Sequence, residues 1–228
     1  MDSAGLSRID QQPMTLRDVV LDRIRDAIIG GVFKPGDRLV ERVLCEQLGV
    51  SRTVVRETLR YLDAEGLVEH VAHKGPVVAS MSWDEARQIY DIRRKLETDA
   101  AMACASNMTP ELEQQLRTTL ADIEAASLSK EPGTLFKAST RFYGVIFQGA
   151  GHNIAWEVVQ RLNGRISRLR IMTLTSTDRQ VSGPEHMRMI CDAIIARDPK
   201  GALRAVENHL ADAKAIAKSL LAQEAVKA

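Results

Sequence analysis

The sequence predicts a mainly α protein in two parts: three short helices closed by a β-hairpin, then an all-helical bundle. Three observations carry this. Positions 40–62 hold two helical repeats joined at a single glycine, with two short β-like runs directly behind them. From Ser82 onward, capped amphipathic segments follow one another with no further strand pattern. The 228 residues are 45% hydrophobic but only 4% aromatic, an aliphatic composition suited to helix packing, at a length that holds one large or two small domains. The change of pattern at Ser82 favours two.

Residues 1–11 are polar and are expected to form a disordered arm ahead of a first domain at 12–80. Thr15 and Asp18 have the spacing of a capping box, and Val20, Ile24, Ala27 and Ile28 form an apolar stripe that ends at Gly30 and Gly31. Val40, Leu44 and Leu48 repeat at helical spacing until Gly49 stops them. Ser51 then caps a third helix in which Val55, Leu59 and Leu62 face inward and Thr53, Arg56 and Arg60 outward. Two helices joined so tightly make a helix-turn-helix. The runs 67–71 and 76–79, around a turn with Lys74 and Gly75, make the hairpin a wing.

The basic groups of the third helix point to a partner. Arg52 and Thr53 lie in its first turn, where free N–H groups and the positive end of the helix dipole suit a phosphate, and Arg56 follows one turn later. A helix entering a major groove by its N-terminus uses such residues for base edges and flanking phosphates. The formal net charge is only +1, so no global basic field supports nucleic-acid binding. A local basic stripe is required, with Asp18, Asp22 and Asp26 placed elsewhere.

Ser82 and Glu85 open the first bundle helix, which runs to about 105, and Thr109 with Pro110 opens a second that runs to about 126. A third is expected at about 135–148, interrupted by GAGHN, and a fourth at about 154–172. Gly183 and Pro184 precede a fifth, and Asp198 with Pro199 starts a sixth that ends near 222. Almost no linker separates Ala79 from Ser82. His186 and His209 lie about equally far from the Asp198 turn, so an antiparallel hairpin places them at one height. Cys45, Cys104 and Cys191 are far apart, which indicates neither a disulfide framework nor a zinc motif. No run has the length of a signal-peptide core or a membrane span, so a cytoplasmic protein without a membrane partner is expected.

The stretch from Phe33 to Val78 resembles the winged helix-turn-helix of GntR-family bacterial transcription regulators, over roughly 12–80. Pro35, Gly36, Leu39, Gly49, Val50, Ser51, Arg52, Arg56, Glu57, Leu59, Leu62, Glu65, Gly66, Leu67 and Gly75 fall in the family pattern. The resemblance implies DNA contacts from Arg42, Ser51, Arg52, Thr53, Arg56, Lys74 and Gly75. Val54 stands where the family often has proline, and a valine fits the helix. Residues 82–222 resemble the FCD effector-binding domain of the FadR/FCD subfamily, in its VanR-like six-helix form. The carriers are IYDIRRKLETDAA near Tyr90, FYGVIFQGAGHN ending at Asn153, EHMRMICDAIIARDPKGA from Glu185, and His209 with Leu210.

This second resemblance implies a homodimer on double-stranded operator DNA, whose affinity is altered by a small metabolite, expected to be an anionic organic acid, with repression the expected sign. Many members hold a divalent metal through an Asp and a His one turn apart and two further histidines. His186 and His209 match the latter, whereas Ser139 and Tyr143 replace the former. Two histidines do not make a tight divalent site, so no metal or other cofactor is expected and His186 with His209 are all that a metal would find. Ser139, Tyr143, His186 and His209 are expected instead to line a polar cavity for the effector, with Arg93 as carboxylate anchor and Arg165 as a second cation. His152 belongs to a turn.

Two other readings have definite signatures. A metal-dependent helical-bundle enzyme would need carboxylates that no Glu-x-x-His or His-Glu-x-x-His motif supplies here. A ligand-independent DNA-binding protein would use the bundle only to dimerise.

Overall fold

A computed structural model describes residues 15–129, 133–176 and 180–227. The arm expected at 1–11, and the head of the span at 12–80, lie outside them. The described residues form ten helices and one two-stranded sheet.

The N-terminal part holds α1 (Leu16–Ile29), α2 (Glu41–Leu48), α3 (Arg52–Ala64), β1 (Val68–Val71) and β2 (Gly75–Val78). Thr15 closes the capping box with Asp18 at the head of α1. Gly49 takes φ +67°, a left-handed turn that costs a residue with a Cβ more than glycine, and its N–H donates to Cys45 O at 3.0 Å. Ser51 Oγ accepts from Val54 N and starts α3, which buries Val55, Thr58, Leu59 and Leu62. These aliphatics join Val20, Ile24, Ile28, Leu39, Leu44, Leu67, Val68 and Val78 in one core. Each contributes roughly 1.5–3 kcal/mol relative to exposure.

In the antiparallel hairpin Val68 pairs with Val78 and Val71 with Gly75, so Gly75 belongs to the strand and residues 72–74 make the turn. His73 (φ +65°) and Gly75 (φ +77°) bend the tip. The segment at 36–39, which carries no strand signal in its sequence, runs along β2: Leu39 N donates to Pro76 O and Val78 N to Asp37 O, both at 2.9 Å.

The bundle comprises α4 (Trp83–Ser106), α5 (Pro110–Ser127), α6 (Thr134–Ala150), α7 (Asn153–Arg165), α8 (Ser167–Leu174), α9 (Gly183–Ile195) and α10 (Pro199–Lys227). The long α4 and α10 pack along each other, and α5 with α6 and α9 with α10 complete the layers around Tyr90, Leu116, Phe142, Phe147, Ile190 and Val206. The single helix expected at about 154–172 is two helices, broken at Ile166 (φ −106°, ψ 15°). The break re-aims the chain: α8 buries Ser167, Leu169, Arg170, Ile171, Thr173 and Leu174 and leaves only the face of Arg168 and Met172 partly exposed. A helix with polar residues such as Ser167, Arg170 and Thr173 on its buried side carries no apolar stripe, so its start was not legible.

The two parts meet along a polar seam. Lys137 on α6 reaches Asp26 on α1 across it at 2.9 Å, and on the bundle side of it Arg165 pairs with Glu85 at 3.3 Å. Gly66 (φ +73°) lies so close to Arg165 that a Cβ there would stand 2.6 Å from its Cγ, and Gly164 sits against Glu65. Arg25 braces Glu65 from α1 with two hydrogen bonds, at 3.1 and 2.7 Å.

Candidate functional site

The outward face of α3 begins with exposed Ser51, Arg52 and Thr53, and Arg56 follows one turn on. The Arg56 Nε donates to both oxygens of Glu41, at 3.0 and 2.8 Å, tying α3 to α2. On α2, exposed Arg42 pairs with Glu46 at 2.7 Å. Exposed ion pairs of this kind are worth about 0–1 kcal/mol, so a phosphate can displace either carboxylate. Arg42 and Arg52 line one depression of about 350 Å³ with Arg38, Leu39, Val40, Glu41 and Pro76.

Arg38 is the residue of this face that sequence reasoning missed. It has no helical spacing and is placed there by its bridge to Val77 in the wing. Lys74 is exposed at the tip of the wing, and Gly75 behind it is half-buried. The aspartates of α1 are engaged elsewhere, Asp18 by the cap, Asp22 by Arg25 and Asp26 by Lys137. Arg38, Arg42, Arg52, Arg56 and Lys74 thus stand with Glu41 and Glu46 on this side, away from the three aspartates.

Inside the bundle a second set of polar groups is enclosed by apolar side chains. Arg93 and Glu97 on α4 are 1% and 0% exposed, and Arg93 Nε donates to Glu97 Oε1 at 2.6 Å. Burial works against the Arg93 charge, but the Glu97 carboxylate outweighs it and holds the guanidinium above its usual value. The guanidinium also stands 5.6 Å from the Tyr90 ring. Burial, and then the Glu97 charge, raises the Tyr143 phenol well above its ordinary value.

Opposite them Arg170, on α8 and 3% exposed, donates through Nη2 to Ser139 Oγ at 3.2 Å and lies 4.9 Å over the Phe136 ring. Burial, and then the neighbouring Arg93 charge, pushes it down to about 10. Buried His186 and His209 face each other with ring centroids 5.4 Å apart, and Tyr143 lies 6.5 Å from His209. His186 Nε2 meets Asp212 Oδ2 at 2.7 Å. Among the described residues Arg170 Nη1 and His186 Nδ1 are buried without a hydrogen-bond partner.

The structure therefore brings Arg93, Ser139, Tyr143, His186 and His209 into one region of the bundle. Arg165 does not belong to it. The break at Ile166 leaves Arg165 at the end of α7, with its side chain 45% exposed and paired with Glu85 on the seam. The second buried guanidinium of this region is Arg170, which follows Leu162 and Ile166 at four-residue spacing, the one sequence signal that could have marked it. Glu97, at helical spacing from Arg93, and Asp212, three residues after His209, were also readable as partners.

The donor set does not suit a divalent ion. Ser139 and Tyr143 supply a hydroxyl and a phenol that burial keeps protonated, and a guanidinium touches the first of them. Among the described residues no group of three or more His, Cys, Asp or Glu side chains is placed to hold a metal.

Comparison with known proteins divides the chain in the same way. The family described as bacterial regulatory proteins, gntR family, matches residues 16–78, and the FCD domain matches residues 88–212. The HTH-type transcriptional repressor RspR of Escherichia coli K12 is 28% identical over 191 residues, covering 82% of this chain and 82% of that protein. The HTH-type transcriptional regulator Mce2R of Mycobacterium tuberculosis is 28% identical over 245 residues, covering 94% and 98%. The solved structure of E. coli McbR/YncC shares the fold, with a TM-score of 0.74 at 23% identity over 91% of this chain and 99% of that one.

Proposed function

The chain belongs to the gntR family of bacterial regulatory proteins, in the branch that carries an FCD domain, and from that membership we propose a homodimeric repressor released or retained on its operator by a small organic acid. It is a DNA-binding transcription regulator and not an enzyme, as its relatives are. In this reading residues 12–80 read DNA and residues 82–222 bind the effector and dimerise. Two copies related by a twofold axis would set their α3 helices into two half-sites, so the spacing between those helices governs affinity. Repression is supported by the likeness to RspR, a transcriptional repressor.

The observation that carries the effector reading is the enclosed set of Arg93, Glu97, Ser139, Tyr143, Arg170, His186 and His209. A buried polar group without a partner is costly, and burial without purpose is selected against in a bundle that could hold leucines instead. A ligand-independent DNA binder has no use for such a set. For DNA the reading assigns Arg52 and Thr53 to base edges and phosphates at the head of α3. Arg42, Ser51, Arg56, Lys74, Gly75 and Arg38 serve the backbone and the wing contact.

The test is fluorescence anisotropy on an operator selected from random duplex DNA, with and without a panel of small carboxylic acids. Specific binding whose affinity one acid changes supports the reading. Specific binding that no acid, sugar or other metabolite alters would leave the ligand-independent form.

A further inference from the structure

We propose that Arg170 is a cation built into the effector site, which takes the anionic group of the effector and excludes a divalent metal from the same place. This rests on the reading of the bundle as an effector site, and deepens it.

The enclosed region contains two guanidiniums, Arg93 and Arg170, and one buried carboxylate, Glu97. Glu97 is committed to Arg93 through the 2.6 Å bond, and the other nearby carboxylate, Asp212, is taken by His186 and is 45% exposed. Among the described residues one positive charge in the interior is left without a counter-ion of its own. An unpaired buried charge is strongly unfavourable, and an anion supplied from outside removes the penalty.

Geometry then selects Arg170. Its Nη2 is anchored on Ser139 Oγ and its Cζ lies over the Phe136 ring, 4.9 Å from the centroid, so the side chain is held from two sides. Its Nη1 remains buried with no hydrogen-bond partner among the described residues, a donor already aimed and already dehydrated. A planar guanidinium so placed suits a carboxylate oxygen. His186 Nδ1, also buried and without a partner among the described residues, provides a second polar contact. The chemistry that fits is a small carboxylate carrying one further hydrogen-bonding group.

The same charge explains why histidines alone do not make this a metal site. A divalent ion near Ser139 and Tyr143 would stand beside a fixed positive charge in a low-dielectric interior, where like charges repel most. Changing Ser139 to a carboxylate and Tyr143 to an imidazole is therefore insufficient, because the new carboxylate pairs with Arg170.

Two arms test this in the full-length protein. In the first, zinc affinity is measured by competition with a chromogenic chelator for Ser139→Asp/Tyr143→His and for the same chain with Arg170→Gln added, with circular dichroism confirming that both fold. The triple variant is expected to bind one zinc per chain at least about tenfold tighter than the double. Equal affinity in the two would overturn the proposal. In the second arm, acetate is titrated against chloride at constant ionic strength, and the midpoint of thermal unfolding is followed. Wild type is expected to be stabilised, Arg170→Gln to lose at least about tenfold in apparent acetate affinity, and Arg170→Lys to recover part of it.

Equal acetate affinity in wild type and Arg170→Gln would overturn the proposal while leaving the effector reading intact. A tenfold zinc difference in a protein whose operator affinity no metabolite alters would uphold Arg170 as the resident cation and remove the effector reading instead.

Discussion

Removing Glu97 should damage the bundle more than removing the arginine it binds. Among the described residues Glu97 is the one buried carboxylate beside two buried guanidiniums, and both members of its 2.6 Å pair with Arg93 have side chains no more than 2% exposed. Breaking a buried pair by deleting one partner costs about 3–5 kcal/mol, since the survivor keeps its desolvation without its attraction. In Arg93→Met, Glu97 still has Arg170 as a neighbouring cation, which sets the expected loss near the lower end, about 3 kcal/mol. In Glu97→Gln, Arg93 and Arg170 face each other with no counter-charge, and the loss should approach about 5 kcal/mol. The double change Arg93→Met/Glu97→Leu restores the original charge balance and should cost less than either single change. Urea denaturation followed by far-UV circular dichroism measures all three, and thermal midpoints should fall by roughly 2–4 °C per kcal/mol. The reasoning is refuted if Glu97→Gln costs under about 0.5 kcal/mol, the scale of a surface substitution, or if the double variant loses the sum of the singles.

Other expectations are simpler to state. Arg52→Ala should weaken specific operator binding by about 1–3 kcal/mol in an anisotropy titration while the oligomeric state stays the same, and unchanged affinity would detach α3 from the operator. Glu41→Gln should free Arg56 and tighten binding to arbitrary duplex at low salt, with a steeper dependence on salt concentration. Burial pushes the thiols of Cys104 and Cys191 up to about 11 and about 12, so at pH 8 they stay protonated and inert, and a thiol-disulfide reagent should titrate Cys45 fast and the other two only after unfolding. Gly66→Ala places a Cβ in a left-handed turn and against Arg165, and should lower stability by about 1–2 kcal/mol or more. A neutral result in a chemical melt would mean that the seam is open in solution.

The helices of the reader were legible because each has its own local punctuation, a capping box at Thr15, a left-handed stop at Gly49, and a serine cap at Ser51. The wing was legible as two β-branched runs around a turn, but its partner at 36–39 was not, because a single bridge from Arg38 to Val77 leaves no periodicity. That is why Arg38 was missed on the face proposed to read DNA. In the bundle the cluster at Arg93, Ser139, Tyr143, His186 and His209 was visible through the family pattern and the equal spacing of the histidines about Asp198. Arg170 and Arg165 exchanged roles because nothing between them breaks a helix by composition. The break at Ile166 is tertiary, accompanied by the burial of most of α8, polar residues included, and a one-dimensional pattern has no term for that.

The placement of α8 has a mechanical consequence. Arg170 lies four residues after Ile166, about 6 Å along the axis, and Gly164 and Arg165 just before it bear on Glu65 and Gly66, where α3 ends. A displacement of α8 thus has almost no compliant chain in which to dissipate before it meets the foot of the α3 rod. That rod has 13 residues and is about 20 Å long, with Arg52 at its far tip. A tilt of about 5° at the foot carries the tip through about 1.7 Å, enough to take an N–H···O contact of about 2.9 Å out of range. Angular amplification along one rigid helix would let an event of sub-ångström size inside the bundle decide whether the tip still reaches the floor of a groove.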